Sequence, residues 1–271
     1  AGAAGEYPAV LESASGEPVL VVQASTKTRY LGRLDVEFDA DGVLSDWEGD
    51  AILLSRYIAP APDASDLVAG LAEPIAALRE QVVGEAAVML DGARSICRVE
   101  ECNLGNLIAD SVREETGAQI AYMNGGGIRS DIDAGEITMG EILTVQPFNN
   151  VTSTFDLKGS DVLAMLENSV SRIQLNEQGQ VQRGGASGRF LQISGARFSI
   201  DPTQDVGSRI VSVEVLNDAG EFEALDPEAI YSVAGNNFVR GGGDGFSVLT
   251  ENAIDPYDGG RASWPTARCH P

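Results

Sequence analysis

Apolar and polar positions change period several times along this chain, and the changes mark out its elements. Between Pro18 and Asp50 the pattern is that of antiparallel strands. Val19–Gln23 is an unbroken run of the buried type, Leu34-Asp-Val-Glu-Phe38 alternates with period two, and Asp41-Gly42 signals a turn before Val43-Leu44. A segment this short does not readily enclose a core of its own. The prolines of Ala59-Pro-Ala-Pro-Asp63 then punctuate the chain. Beyond them Leu67, Leu71, Ile75, Leu78 and Val82 recur at helical spacing. With Ser65 as N-cap, a helix of ~18 residues would span roughly 27 Å. Pro74 lies inside it, as a kink or the start of a new segment.

From Gly84 onward strand and helix periods mix, which predicts a mixed α/β fold. A strand is expected at Ala86–Leu90, then a helix capped by Asn103 and running to about Glu115, with Leu104, Leu107, Ile108 and Val112 on one face. Ala118–Met123 reads as a strand, Leu143–Phe148 and Val151–Leu157 as extended runs, and Ser160–Ile173 as a helix. Asn176–Gly188 is rich in Gly and Gln without periodicity and reads as a loop. Strands return at Phe190–Ile193, Ala196–Ile200 and Ile210–Leu216.

Composition narrows the function classes. With 271 residues, 43% of them hydrophobic, the chain can hold one large globular domain or two modest ones. The formal charge of −23, from 41 acidic and 18 basic residues, argues against a nucleic-acid partner, which requires basic surface in excess. Such self-repulsion suits a salty environment that screens it. No apolar run approaches the length of a membrane span, and the opening Ala1-Gly-Ala-Ala-Gly5 has neither the charged start nor the apolar core of a signal peptide. Cys97 and Cys102 bracket four residues, while Cys269 stands near the end beside His270, the one histidine. A disulfide between the first two would close a small loop worth roughly 2 kcal/mol. A metal site there would need further ligands. The disulfide is favoured, and with it a periplasmic or secreted protein.

Candidate chemistry gathers at glycine-rich strand ends. Tyr122-Met-Asn-Gly-Gly-Gly-Ile-Arg129 ends an apolar run in Asn124, then offers Gly125, Gly126 and Gly127, which permit positive φ or close approach to a ligand, and Arg129, a donor fork for an anion. Tyr231-Ser-Val-Ala-Gly-Asn-Asn-Phe-Val-Arg-Gly-Gly-Gly-Asp-Gly-Phe246 repeats the logic with Phe238 and Asp244. Phe148 and Phe238 are core residues or a clamp for a flat ring; Asp244 is a turn former or an acceptor for paired hydroxyls. Arg98, inside the cysteine loop, is a surface ion pair or a positioned cation.

Four stretches carry a resemblance to the 5′-nucleotidase family of secreted metallophosphoesterases: Cys97-Arg-Val-Glu-Glu-Cys-Asn-Leu-Gly-Asn-Leu-Ile108, Asn124-Gly-Gly-Gly-Ile-Arg129, Val145-Gln-Pro-Phe148 and Asn237-Phe-Val-Arg-Gly-Gly-Gly-Asp-Gly-Phe246. The resemblance implies the last strands of a metallophosphatase domain over residues 1–58, a linker helix over 59–83 and a layered α/β substrate domain over 84–260; residues 261–271, with neither periodicity nor resemblance, are an atypical tail. It implies that Phe148 and Phe238 sandwich a base, Asn124 bonds its edge, Asp244 takes the ribose hydroxyls, Arg98 and Arg129 hold the phosphate side, and Cys97–Cys102 is the family's small disulfide. Two divalent metal ions belong to the full-length family. Their Asp, His and Asn ligands lie in the catalytic domain, and no histidine precedes Val19 here. The expectation is therefore a nucleotide- or nucleoside-binding part of a 5′-nucleotidase that itself carries no catalytic residues and binds no metal. The alternatives are a non-catalytic nucleotide-binding module, or a relative acting on 2′,3′-cyclic nucleotides or UDP-sugars.

Overall fold

The computed structural model describes residues 5–262. Cys269 and His270, and most of the atypical tail, lie outside the described residues. The chain divides into two compact units between Glu73 and Pro74.

In the first unit β1 (Ala9–Glu12) pairs antiparallel with β2 (Pro18–Val21), and β3 (Tyr30–Phe38) with β4 (Leu44–Leu53). The Asp39 carboxylate accepts the N–H groups of Asp41 and Val43 and closes the β3–β4 turn at the anticipated Asp41-Gly42. The Val19–Gln23 run departs from its buried-type pattern. Val19, Val21 and Val22 are exposed, because each strand pair here is a two-stranded ribbon, with no third strand among the described residues. Helix α1 (Pro62–Arg79) begins at Pro62 instead of after Ser65, since proline's fixed φ suits the first helical position. It runs through Pro74 without interruption, and none of its residues is buried.

The second unit opens with β5 (Val82–Ala86), then α2 (Arg94–Cys97), α3 (Asn103–Thr116) and β6 (Ile120–Asn124). The strand expected at Ala86–Leu90 is displaced: β5 ends at Ala86, and Leu90 makes only an isolated bridge to Ile132. Cys102, not Asn103, caps α3. The Asn103 amide instead accepts the Asp91 N–H (2.7 Å) and donates to the Met89 carbonyl (2.9 Å), holding the segment before the disulfide. Next come β7 (Gly135–Thr138), antiparallel to β5, and α4 (Met139–Val145). Helix α4 corrects the extended reading of Leu143–Phe148. Thr138 accepts the Glu141 N–H and Glu141 accepts the Thr138 N–H, a reciprocal cap that outweighs the β-branched residues of the turn that follows.

The remaining elements are β8 (Val151–Lys158), α5 (Gly159–Val170), β9 (Leu191–Ser194), β10 (Ala196–Ile200), β11 (Ile210–Leu216), β12 (Phe222–Ala224), β13 (Ile230–Asn236), α6 (Asn237–Arg240), a 3-10 turn (Gly243–Gly245), α7 (Ser247–Asn252) and β14 (Ile254–Ala262). The central sheet runs β14-β8-β13-β6-β9, and β10-β11-β12 form a second, antiparallel sheet. Among the described residues, only β13 and β6 pair in parallel within the central sheet; its other pairings are antiparallel. Alternation along β6 serves two cores. Ile120 and Tyr122 join Leu157, Val162, Met165, Leu166 and Phe246 on one face. Met123 meets Leu104, Ile108 and Ile128 on the other, where Ala121 and Ala234 pack on Val112. A strand buried on both faces explains why every residue of β6 is apolar except the terminal Asn124.

Candidate functional site

The parallel pair decides where the site forms. Because β6 and β13 run side by side, their carboxyl ends and the loops leaving them are neighbours, at the kind of strand edge where α/β proteins bind ligands. Asn124 ends β6 and Asn236 ends β13. The Val239 N–H donates to Asn236 Oδ1 (2.9 Å), Asn236 Nδ2 to Asn124 Oδ1 (3.0 Å), and Asn124 Nδ2 to Asp244 Oδ2 (3.0 Å). Asn124 is only 3% exposed. One relay thus ties both strand ends to Asp244, which sits at φ 55, in the left-handed region unusual for a residue other than glycine. A second amide, Asn168, reaches the Asp244 carbonyl at 3.4 Å.

The glycine triplet behaves differently from its sequence expectation. None of Gly125, Gly126 and Gly127 has a positive φ. Their N–H groups donate within the protein, to the carbonyls of Phe190 (2.7 Å), Gly188 (2.8 Å) and Asn124 (2.8 Å). Close packing requires the glycines instead. A Cβ on Gly125 would lie 2.1 Å from the Cys97 carbonyl oxygen, one on Gly126 3.0 Å from Gly188 Cα, and one on Gly127 2.8 Å from Met123 Sδ. The triplet is a narrow crossing under the disulfide loop and beside the 186–188 segment.

Cys97 and Cys102 form a disulfide, which fixes the residues between them. Arg98, at the end of α2, is 8% exposed. One of its Nη atoms donates to the Ala186 carbonyl (3.2 Å), while Nε is buried without an acceptor. Burial, then the charges of Arg94 and Arg129, press its guanidinium below the ordinary arginine value, against the opposing pull of Asp244. Gln192, within β9, holds the loop from beneath. It donates to the carbonyls of Cys97 (3.0 Å) and Glu100 (2.8 Å) and accepts the Cys102 N–H (2.9 Å). Arg129 has its guanidinium carbon 5.5 Å from the centre of the Phe148 ring. Phe148 follows helix α4 and is 51% exposed; Phe238, in α6, is 47% exposed. The Phe238 ring lies over Gly243, where a Cβ would approach it to 2.5 Å.

Arg98, Asn124, Gly126, Gly127, Arg129, Phe148, Phe238 and Asp244 line one cavity of about 250 Å³. Of the expected site residues, Gly125 does not line it. Asn150 and Gly188 do, and neither stood out in the sequence. The walls carry two ring faces, two cations and one carboxylate, a set suited to a flat ring, an anion and a hydrogen-bond donor. It does not suit a metal ion, and among the described residues no three His, Cys, Asp or Glu side chains converge on a common point.

Comparison with known proteins identifies the family of the chain. The family model described as "5′-nucleotidase, C-terminal domain" matches residues 82–251. The chain is 37% identical over 241 residues to the trifunctional nucleotide phosphoesterase protein YfkN of Bacillus subtilis, covering 87% of this chain and 16% of that protein. It is 34% identical over 267 residues to the 5′-nucleotidase of Bos taurus, covering 93% and 45%. The crystal structure of a 5′-nucleotidase precursor from Thermus thermophilus superposes with a TM-score of 0.65 at 44% identity, covering 94% of this chain and 49% of that one. The chain therefore spans less than half the length of each of these relatives. With the mixed α/β architecture and the family match over most of the second unit, the chain belongs to the 5′-nucleotidase C-terminal domain family.

Proposed function

We propose that this chain is the nucleotide-recognition part of a 5′-nucleotidase-type phosphohydrolase, and that its cavity takes a nucleoside 5′-monophosphate. The observation that carries the proposal is the convergence of Arg98, Asn124, Arg129, Phe148, Phe238 and Asp244, from separate segments of the chain, on a single cavity. The base lies between the rings of Phe148 and Phe238. The ribose hydroxyls donate to Asp244, whose carboxylate is oriented by Asn124. The phosphate side faces Arg98, whose buried Nε lacks a protein acceptor, and Arg129. Held this way, the nucleotide is oriented for attack at phosphorus by groups outside this chain, and binding energy is converted into geometry.

Residues 1–58 are then the end of a metallophosphatase domain, 59–83 a linker helix and 84–260 the substrate domain. The exposed apolar residues of β1–β4 and α1, such as Leu11, Phe38, Leu67 and Leu71, fit faces that a larger protein covers. The divalent ions belong to the catalytic domain, so the isolated chain is inactive. The disulfide supports an oxidising, exported location. Calorimetric titration with adenosine and with AMP tests the core of the proposal. Saturable binding of both, tighter for AMP, is expected; no binding of either overturns it. AMP hydrolysis by the isolated chain with added divalent metal would overturn its division of labour.

A further inference from the structure

A second cavity, of about 350 Å³, lies on the other side of the 186–188 segment and has a different character. Its charged lining consists of Arg172 and Arg189 alone; the rest is Gln174, Gln182 and the backbone of the 184–187 stretch. In a chain of net charge −23, a pocket with two cations and no carboxylate is not explained by composition. Neither arginine forms an ion pair among the described residues. Arg189 uses one Nη on the neutral oxygens of Asn168 (3.2 Å) and Ser171 (2.8 Å), and its Nε is buried without an acceptor. Arg172 is exposed and makes no protein hydrogen bond among the described residues. The N–H groups of Gly184, Gly185, Ala186 and Ser187 likewise meet no protein acceptor there. Burial and then the Arg172 charge press the Arg189 guanidinium below its ordinary value, against the opposing pull of Asp244 from the first cavity, a pressure that a bound anion would relieve further.

We propose that this pocket is an oxyanion site for a tetrahedral phosphoryl group, held by Arg172, Arg189 and the glycine-rich backbone between Gly184 and Ser187. Paired guanidinium groups and free backbone N–H groups are the donors such an anion takes. The site is separate from the cavity at the strand ends but shares a wall with it. Gly188 lines the first cavity, and its carbonyl accepts the Gly126 N–H; Ala186 lines the second, and its carbonyl accepts from Arg98. The proposal does not depend on what the first cavity holds.

The phosphoryl group can come free, as orthophosphate, or on a small ester. Calorimetric titration of the full chain with orthophosphate and with glycerol 3-phosphate, at constant ionic strength, separates the two sources. Saturable binding of at least one of them is expected, and it should persist in Arg129→Gln, which removes a cation of the first cavity only. Arg172→Gln should weaken it roughly tenfold, the effect of losing one charge-assisted contact, with an unchanged melting temperature. Phe238→Ala should retain it. Adenosine, which carries no phosphate, reads the first cavity only, so failure there and failure here are distinguishable. Absence of saturable binding by both probes overturns the proposal. So does wild-type affinity in Arg172→Gln, or loss of binding in Arg129→Gln, which would put the anion in the first cavity.

Discussion

At the scale of the residue, the Asn236–Asn124–Asp244 relay changes what Asn124 does. Its Oδ1 and one Nδ2 proton are already committed, so under the proposed function it aims the Asp244 carboxylate and keeps one Nδ2 proton for the base edge. Asn236→Ala should therefore weaken adenosine binding while leaving 2′,3′-dideoxyadenosine, which cannot reach the carboxylate through hydroxyls, nearly unchanged. Equal losses for both ligands in a competition assay would reject that division. Phe148→Ala and Phe238→Ala should each cost about 0.5–1.5 kcal/mol, or roughly two- to tenfold in nucleoside affinity, if the rings stack on a base. Undiminished affinity in both variants would remove the stacking. Tyr122 presents the opposite case, since its phenol is fully buried with no hydrogen-bond partner. Burial holds its pKa above the ordinary value. The folded state thus keeps a proton that the unfolded chain releases above about pH 10, and the associated stability falls as pH rises past that point. Tyr122→Phe should preserve neutral-pH stability, or raise it by up to about 1 kcal/mol, and should flatten the alkaline loss seen in pH-dependent urea unfolding.

At the scale of the element, Gln192 shows how much of the site rests on one buried amide. Three backbone groups of the disulfide loop depend on it, and Gln192→Met, which keeps the volume, should cost about 2–4 kcal/mol in urea unfolding. A loss under about 1 kcal/mol would mean that the disulfide alone holds the loop. Long periodic elements were legible in the sequence. Helix α3, helix α5 and strands β8, β10, β11 and β13 lie where their apolar spacing points, because a single period runs through each. The misreadings have local causes. Ile142, Leu143, Thr144 and Val145 look extended by composition, yet the Thr138–Glu141 cap starts a helix before them; that spacing was the available signal. In the candidate site, Arg129, Phe238 and Asp244 were legible from their type and their glycine context, Arg98 from the cysteine loop, and Phe148 from the Val145-Gln-Pro-Phe148 stretch. Gln192 and Asn236 were not, since a polar residue in an apolar run declares a partner without naming it. The purpose of the glycine triplet was also hidden, because its collisions involve Cys97 and Gly188, which are distant in sequence.

At the scale of the whole molecule, the net charge of −23 makes the chain repel itself. Added salt screens that repulsion, so the melting temperature should rise between 0.1 M and 1 M sodium chloride, over which the Debye length shrinks from about 10 Å to about 3 Å. A flat or falling response would show that local pairs such as Arg183–Glu100 and Arg240–Asp258 outweigh the net field. The parallel pairing of β6 with β13 has a further consequence, in time. Asn124 and Asp244 are separated by 120 positions, so the two halves of the binding surface cannot meet until nearly the whole second unit has been laid down. Contacts of such long range form late, after the local helices and ribbons. If the cavity takes a nucleoside as proposed, ligand capture marks completed folding: in stopped-flow refolding, recovery of nucleoside binding should trail the return of secondary structure, and during synthesis a nascent chain ending before residue 244 would carry Arg98, Arg129, Phe148 and Phe238 without the carboxylate that the Asn236–Asn124 relay aims.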